Sequence, residues 1–533
     1  MTQGRTPLFR ALARALMLAR AAERTGIPAD EIAGAVDARG LTRRRFMGGA
    51  AVSAAAVLAA AKGARAFDAI GSLPAVPPPL PPLGGTGPRV AIVGAGMAGL
   101  TAAWTLRRAG LVSTVFEASE RTGGRIRSAR NVVGEGFVTE LGAEFIDTPH
   151  VLMLRFAAEL GLDLIDVSTD DGMTEVTWFD GVVRDEAATV AALLPVIRRM
   201  AADQESLPHD IDHATRDPVA LRYDRMSLAE YLAGLAEAEP WMRELLRIAY
   251  VTEYGGDAEA QSALNMLDLF SWSRGEWRWF GDSDERFKVA GGNQLVTDGL
   301  AARLDGAIRL GHRLVSVRGE GGGYRLAFAT DGGIVDAAAD CVILTLPFTR
   351  LREVELAIPM SRAKRAAIDG LGYGTNAKLF MGFARRPWRD AKASGNAFAP
   401  DPVQLTWDST RLQPGLDGGL TLFSGGRVGA ELARATAAAR AAEALPLLDR
   451  VFPGTAAAFN GRAALFDWPG HAHARASYAC FAPGQWTTIR GLEGEPAGNV
   501  LFAGEHCSAD FQGFMEGAAE TGRAAALAIM AKL

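Results

Sequence analysis

The sequence predicts an α/β fold, in which a Rossmann-like dinucleotide-binding domain is built from discontinuous segments and an α+β domain, partly helical, is inserted between them. Three observations predict it. The run Arg89-Val-Ala-Ile-Val-Gly-Ala-Gly-Met-Ala-Gly-Leu100 describes a strand, a tight glycine turn and a helix start. A second β-rich run, Ser113-Thr-Val-Phe-Glu117, ends in an acid 18 residues after the last of those glycines, and Arg121-Thr-Gly-Gly-Arg125 adds another glycine turn. Far along the chain, Asn499-Val-Leu-Phe-Ala-Gly-Glu505 reads as a strand entering a turn, followed by an Ala-rich helix from about Gly513.

Each part of the first unit has a physical reason. Gly94 permits the tight turn, Gly96 lets the backbone approach a pyrophosphate, and Gly99 lets the helix pack closely on its strand. The free N–H groups and positive dipole end of that helix then face the phosphates. The Glu117 carboxylate can accept hydrogen bonds from both ribose hydroxyls, which favours an unphosphorylated adenosine ribose and therefore FAD or NAD over NADP.

Between these ends, residues 151–280 read mainly as helices with loops, with apolar positions spaced by three and four in 152–160, 187–200, 227–235 and 241–249. A tryptophan cluster, Trp272, Trp277 and Trp279, closes this stretch. Strand signals return in 308–317, 324–328 and 341–346, separated by Gly-Gly-Gly and Asp-Gly-Gly turns, and a second mixed stretch covers about 350–484. The expected organisation is a signal region 1–66, a Pro-rich linker 67–88, dinucleotide-binding segments 89–150, 285–346 and 485–533, and substrate-domain segments 151–284 and 347–484. A chain of 533 residues is long enough for two or three domains.

Charge divides the chain. The formal total is −5. Residues 1–66 carry 11 Lys/Arg against 4 Asp/Glu, so the rest is strongly acidic, a poor partner for nucleic acid or anionic membranes. Within the basic front, Thr42-Arg-Arg-Arg-Phe46 resembles a twin-arginine export signal. The apolar run after it, Met47 to Ala61, is 15 residues long, short of the about 20 a membrane helix needs, and Ala64-Arg-Ala66 offers a small-x-small cleavage pattern. The expectation is export by the twin-arginine machinery, which carries proteins already folded, to the periplasm or beyond. The mature protein is not expected to span a membrane. The amphipathic run Leu8 to Arg24 ahead of the arginines is a departure from such leaders. Three cysteines, Cys341, Cys480 and Cys507, imply no disulfide framework, and no metal is implied.

The motifs together resemble the FAD-dependent amine oxidases, the group containing monoamine oxidases, polyamine oxidases and L-amino-acid oxidases. The pieces are the glycine motif with Glu117, Arg121-Thr-Gly-Gly-Arg-Ile-Arg-Ser128, Glu140-Leu-Gly-Ala-Glu-Phe-Ile146, Val289-Ala-Gly-Gly-Asn293, Phe502-Ala-Gly-Glu505, and Gly513-Phe-Met-Glu-Gly-Ala-Ala-Glu-Thr-Gly522. The resemblance implies that Gly94, Gly96, Gly99, Glu117, Gly124, Arg125, Glu505 and Met515 bind FAD. Arg125 would meet the pyrophosphate and Glu505 a flavin-side hydroxyl, while the Met515 N–H would face the flavin ring. It also implies catalytic roles for Lys378, reaching flavin N5 through a water, and for Tyr478 and Phe514, paired rings flanking the amine. Some relatives attach the flavin through a cysteine just before the tyrosine; here that residue is Ser477 and Cys480 comes three residues late, so the FAD is expected to be non-covalent.

The implied reaction is hydride transfer from the α-carbon of an amine to flavin N5, giving an imine, with O2 reduced to H2O2. L-amino-acid oxidases place an arginine soon after the leucine-glycine turn to clamp the α-carboxylate. Phe145 stands there, which favours amines, although Arg274, Arg278 or Arg286 could supply a cation and Glu144 could bind a distal ammonium or cap a helix. An L-amino-acid oxidase, a dehydrogenase or desaturase that bypasses O2, and an exported flavin-binding protein without turnover remain open alternatives, as does assembly into a homo-oligomer.

Overall fold

The computed structural model describes residues 87–533 apart from 171, 185 and 270–282. The region expected to be an export signal, the linker up to Thr86 and the tryptophan cluster with Arg274 and Arg278 lie outside the described residues. Five parallel strands form the first sheet, in the order Val500–Phe502, Cys341–Leu344, Val90–Val93, Ser113–Phe116, Ile308–Arg309. The central strand, Val-Ala-Ile-Val, is buried throughout, as expected of a parallel strand covered on both faces.

Close approach of backbones sets this layer. Gly94 has φ +104°, and a Cβ there would meet Thr345 Oγ1 at 2.3 Å. A Cβ on Gly99 would sit 1.9 Å from the Gly94 carbonyl oxygen, so helix Met97–Arg108 can start only where it does. The C-terminal helix Met515–Met530 packs against it, and at Gly522 any side chain would strike the Ala98 carbonyl at 2.1 Å. Small residues thus let two helices and a glycine turn meet at the carboxyl edge of the sheet.

A four-stranded sheet lies beside this domain. Arg313–Glu320, Gly323–Thr330 and Gly333–Ala339 form an antiparallel meander, and Glu355–Ala357 joins in parallel. The larger insertion is a seven-stranded sheet in the order Phe459–Asp467, Ala377–Phe383, Gly418–Ser424, Leu405–Asp408, Ala393–Phe398, Thr174–Phe179, Val182–Arg184. Ala377–Phe383 is paired on both sides and wholly buried, which fixes Lys378 deep in the protein. Helices Glu186–Glu205, Pro218–Arg225, Leu228–Ala233 and Pro240–Tyr254 supply the helical part, the last of them buried along most of its length.

Two features differ from the pattern expected of the sequence. The stretch 151–280 contains the hairpin Thr174–Phe179 and Val182–Arg184, turned at Asp180-Gly181 with φ +54° and +78°. An Asp-Gly pair between β-rich runs is a hairpin signal, but its sheet is completed by strands some 200 residues later. The run 308–317 is two elements, Ile308–Arg309 in the parallel sheet and Arg313–Glu320 in the meander. All three cysteines are free. No helix of the described residues is long and apolar enough to cross a membrane.

The Gly99 contact makes a direct test. Gly99→Ala forces the helix off the glycine turn and is expected to cost about 1–3 kcal/mol, the range of overpacked interiors, seen as a lower thermal midpoint. Gly319→Ala, where a Cβ meets nothing within 4 Å, leaves the midpoint unchanged.

Candidate active site

A cleft runs from the carboxyl ends of the parallel strands to the seven-stranded sheet. Its lining runs from the glycine turn at Gly94 to the strand bearing Lys378, so residues suited to a dinucleotide and residues suited to a second molecule face the same space. Gly94, Gly96, Glu117, Gly124, Arg125, Lys378, Tyr478, Glu505, Phe514 and Met515 line it. Gly99 does not; it lies behind, packed on Gly94.

At one end Glu117 braces the glycine turn. Its carboxylate accepts from the Ala95 N–H at 2.7 Å and from the N–H and Oγ of Ser119 at 2.9 and 2.8 Å. A carboxylate has roughly four acceptor positions, so this bracing still leaves capacity for a ligand hydroxyl. The helix beginning at Met97 has Gly96 as its N-cap, with no side chain satisfying the first N–H groups. Helix Met515–Met530 is likewise uncapped by its N-cap, Phe514. Its first-turn acid Glu516 faces away, accepting from the Leu152 and Met153 N–H groups at 2.8 and 2.9 Å. Two uncapped positive helix ends therefore border one cleft, an arrangement suited to a pyrophosphate and to a ring that gains negative charge.

Arg125 and Glu505 join distant parts of the chain in the middle of the cleft. Arg125 Nη1 donates to Glu505 Oε1 at 2.8 Å and to the Ser477 carbonyl at 2.5 Å. Glu505 Oε2 accepts from the Gly513 N–H at 2.9 Å. The glycine turn, the loop bearing Tyr478 and the start of the last helix are thereby tied to one buried carboxylate.

At the far end lies a buried cluster of charge. Lys378 Nζ donates to the carbonyls of Glu140 and Gly142 at 3.0 and 2.8 Å and to Glu144 Oε2 at 3.1 Å. Lys288 Nζ donates to the other oxygen of Glu144 at 2.8 Å. Burial alone would raise the Glu144 carboxyl, but the two ammoniums beside it outweigh burial and hold it below its ordinary value. Glu140 is pushed up to about 7 by burial, against hydrogen bonds from the Asn293 N–H and Ser128 Oγ. Asn293 also donates to the Ala143 and Glu144 carbonyls, which explains the Val289-Ala-Gly-Gly-Asn293 motif: it fastens the loop that carries Glu144.

Aromatic side chains wall this end. Tyr478 donates through its hydroxyl to the Thr252 carbonyl at 3.2 Å. Phe514 is braced edge-on by His150, with ring centroids 5.0 Å apart. Trp407 lies 6.0 Å from Phe145 and 5.4 Å from Phe423, and all three line the cleft. Arg286 is paired with Asp166 at 2.8 Å and does not line the cleft. Of the arginines that do line it, Arg125 is held by Glu505 and Arg350 by Glu353. Arg313 adjoins His312, whose N–H donates to the Glu117 carbonyl at the opposite end. Lys288, Asn376, Trp407 and Phe423 were not singled out from sequence. The alternation of Leu405–Asp408 and Gly418–Ser424 marks strands, but nothing local marks which face meets Lys378.

Comparisons agree with this geometry. Residues 97–530 match the model of the flavin containing amine oxidoreductase family. The chain is 26% identical to an L-amino-acid oxidase of Mus musculus over 467 residues, 83% of this chain and 70% of that one. It is also 26% identical to a protein described as a flavin-containing monoamine oxidase of Mycobacterium tuberculosis, covering 83% of this chain and 97% of the relative. Its fold matches cyclohexylamine oxidase from Brevibacterium oxydans (TM-score 0.73, 21% identity, 84% and 99% of the two chains). It also matches putrescine oxidase bound to putrescine (0.69, 23%, 85% and 100%). With the dinucleotide cradle and these matches together, the chain belongs to the flavin containing amine oxidoreductase family, as an FAD-dependent oxidoreductase acting on CH–NH2 groups.

Proposed function

We propose that the protein is an amine oxidase whose substrate lacks an α-carboxylate and whose electron acceptor is O2. The observation that carries this reading is the chemistry of the Lys378 end. Phe145 occupies the place of a carboxylate clamp, and the three N–H groups of Lys378 are already taken by the Glu140 and Gly142 carbonyls and by Glu144. An α-carboxylate entering among Phe145, Trp407 and Phe423 would lose its hydration without gaining a free charged donor among the described residues. The second reading, an L-amino-acid oxidase, is favoured by the similarity to the mouse enzyme. It requires a cation from Arg274 or Arg278, outside the described residues.

When bound, FAD would supply two-electron oxidation of the amine at its α-carbon, giving an imine for water to hydrolyse, with O2 as the final acceptor reduced to H2O2. In this reading Glu117 binds the ribose, the turn Gly94–Gly96 with Gly124 and Arg125 holds the pyrophosphate, and Glu505 accepts from a flavin-side hydroxyl. The Met515 N–H offers positive charge to the ring. Tyr478 and Phe514 confine the amine and orient its α-carbon, and Lys378 holds a water or proton beside the reacting atoms. No cysteine lines the cleft. Cys480 is turned away toward the amide of Asn265, which supports a non-covalent FAD. The front-end sequence supports export in the folded state by the twin-arginine route, to the periplasm or beyond.

Three outcomes are expected. Panels of amines and L-amino acids mixed with the yellow protein in air give flavin bleaching and peroxide with amines; bleaching without peroxide assigns a dehydrogenase, and bleaching by amino acids assigns the second reading. Lys378→Met keeps its flavin but turns over or reoxidises at least about tenfold more slowly, the low end of what a positioned proton-transfer group supplies being nearer 10²; unchanged kinetics would remove Lys378 from the site. Arg125→Ala leaves the buried Glu505 without its cation. The expected cost is about 2–3 kcal/mol, less than for a fully buried pair because the arginine is partly exposed, and it is read as weaker FAD retention on dilution.

A further inference from the structure

Resting on the reading that Lys378 takes part in the reaction, we propose that Lys288, which does not line the cleft, is a positioning residue that sets when Lys378 gives up its proton. The geometry is one carboxylate shared between two ammoniums. Glu144 Oε1 is held by Lys288 at 2.8 Å and Glu144 Oε2 by Lys378 at 3.1 Å. All three groups are buried. A lone Lys–Glu pair in such a place would keep its proton firmly, because the neutral lysine would abandon a buried anion. With Lys288 already neutralising Glu144, the second ammonium is in excess, and it is the one that lines the cleft.

The other groups around Lys378 agree. Strand Val138–Glu140 contributes the Glu140 carbonyl as an acceptor, and the Glu140 carboxylate stands nearby, bound by Asn293 and Ser128. The neighbouring strands Gly418–Ser424 and Phe459–Asp467 place uncharged Phe423 and Phe466 opposite Lys378, and Trp407 lies 5.1 Å from its Nζ. Glu144 and Glu140 favour the ammonium, Lys288 opposes it, and burial, the largest influence, moves Lys378 below the ordinary lysine value. As an ammonium, Lys378 has all three N–H groups engaged by Glu140, Gly142 and Glu144. When Nζ loses one proton to water in the cleft it gains a lone pair, and that lone pair can take one proton from an incoming alkylammonium, leaving the neutral amine that can be oxidised.

The test is the pH profile of kcat/KM for the best amine, with the thermal midpoint of the holoenzyme as a second readout. In Lys288→Met, Glu144 belongs to Lys378 alone. The rising limb is expected to move at least about one pH unit upward, roughly a tenfold loss of kcat/KM at a pH below the limb. Lys288→Arg restores the wild-type position, because a cation again occupies Glu144 Oε1. Sign follows from linkage: a lysine whose proton affinity is lowered by folding makes stability rise with pH up to the unfolded value near 10.4. The wild-type midpoint should therefore climb more between pH 7 and 10 than that of Lys288→Met. If the Met variant does not fold, Lys288→Gln carries the same expectation. A limb that stays in place in a folded variant, whatever its rate, overturns the role of Lys288. Lys378→Met separates the two ideas: loss of the ionisation there with no change in Lys288→Met rejects Lys288 alone, while a wild-type profile in Lys378→Met rejects both.

Discussion

The ion pair between Arg125 and Glu505 is the constraint on which the site depends. Its partners stand 380 residues apart in sequence, yet the carboxylate oxygens also accept the Gly513 N–H, and the guanidinium reaches the Ser477 carbonyl. A buried carboxylate is costly unless it is paired and hydrogen-bonded. Here the bonds that satisfy it come from the second glycine turn through Arg125, from the Tyr478 loop through the Ala479 N–H, and from Gly513 just before the last helix. Those three segments can meet only if the chain closes around the same cleft. The cradle for the cofactor and the walls for the substrate are thus set by one electrostatic requirement.

From that anchor the cleft divides by polarity. The parallel-sheet end presents backbone N–H groups and helix termini, where Glu117 is occupied in bracing the turn. The opposite end presents rings, and among the described residues Lys378 and Glu144 there are drawn into one buried charge cluster. Uncapped helix ends, Gly96 and Phe514 being their N-caps, do no work for the fold and would be better capped if stability alone mattered. Their exposure toward one space is understandable as binding capacity for a negatively charged group.

Much of this was legible in sequence because it is local. The run Val90–Val93, the glycine spacing and Glu117 describe a unit in which each residue acts on a neighbour a few positions away. Alternation along Ala377–Phe383 sets Lys378 on one face with Phe380, an expensive place for an ammonium, but alternation alone fits a lysine reaching out from a strand end equally well. What could not be read was convergence. Glu144 meets Lys288 and Lys378 across separations of 144 and 234 residues, and no periodicity near any of them announces the others. The seven-stranded sheet was hidden for the same reason: its edge hairpin at Asp180-Gly181 has a local signal, but its partners begin at Ala393. The Val289–Asn293 motif was recognisable as a pattern, and only the contacts of Asn293 with Ala143 and Glu144 give it a mechanical meaning.

Convergence of those segments on one FAD is tested most directly by the pigment itself. The purified protein, denatured and filtered, should release about one FAD per chain, leaving a colourless polypeptide, and the native protein should show oxidised-flavin absorption that restored FAD regenerates. A protein that is isolated without flavin absorption and takes up no added FAD would contradict the assembly described here at its base.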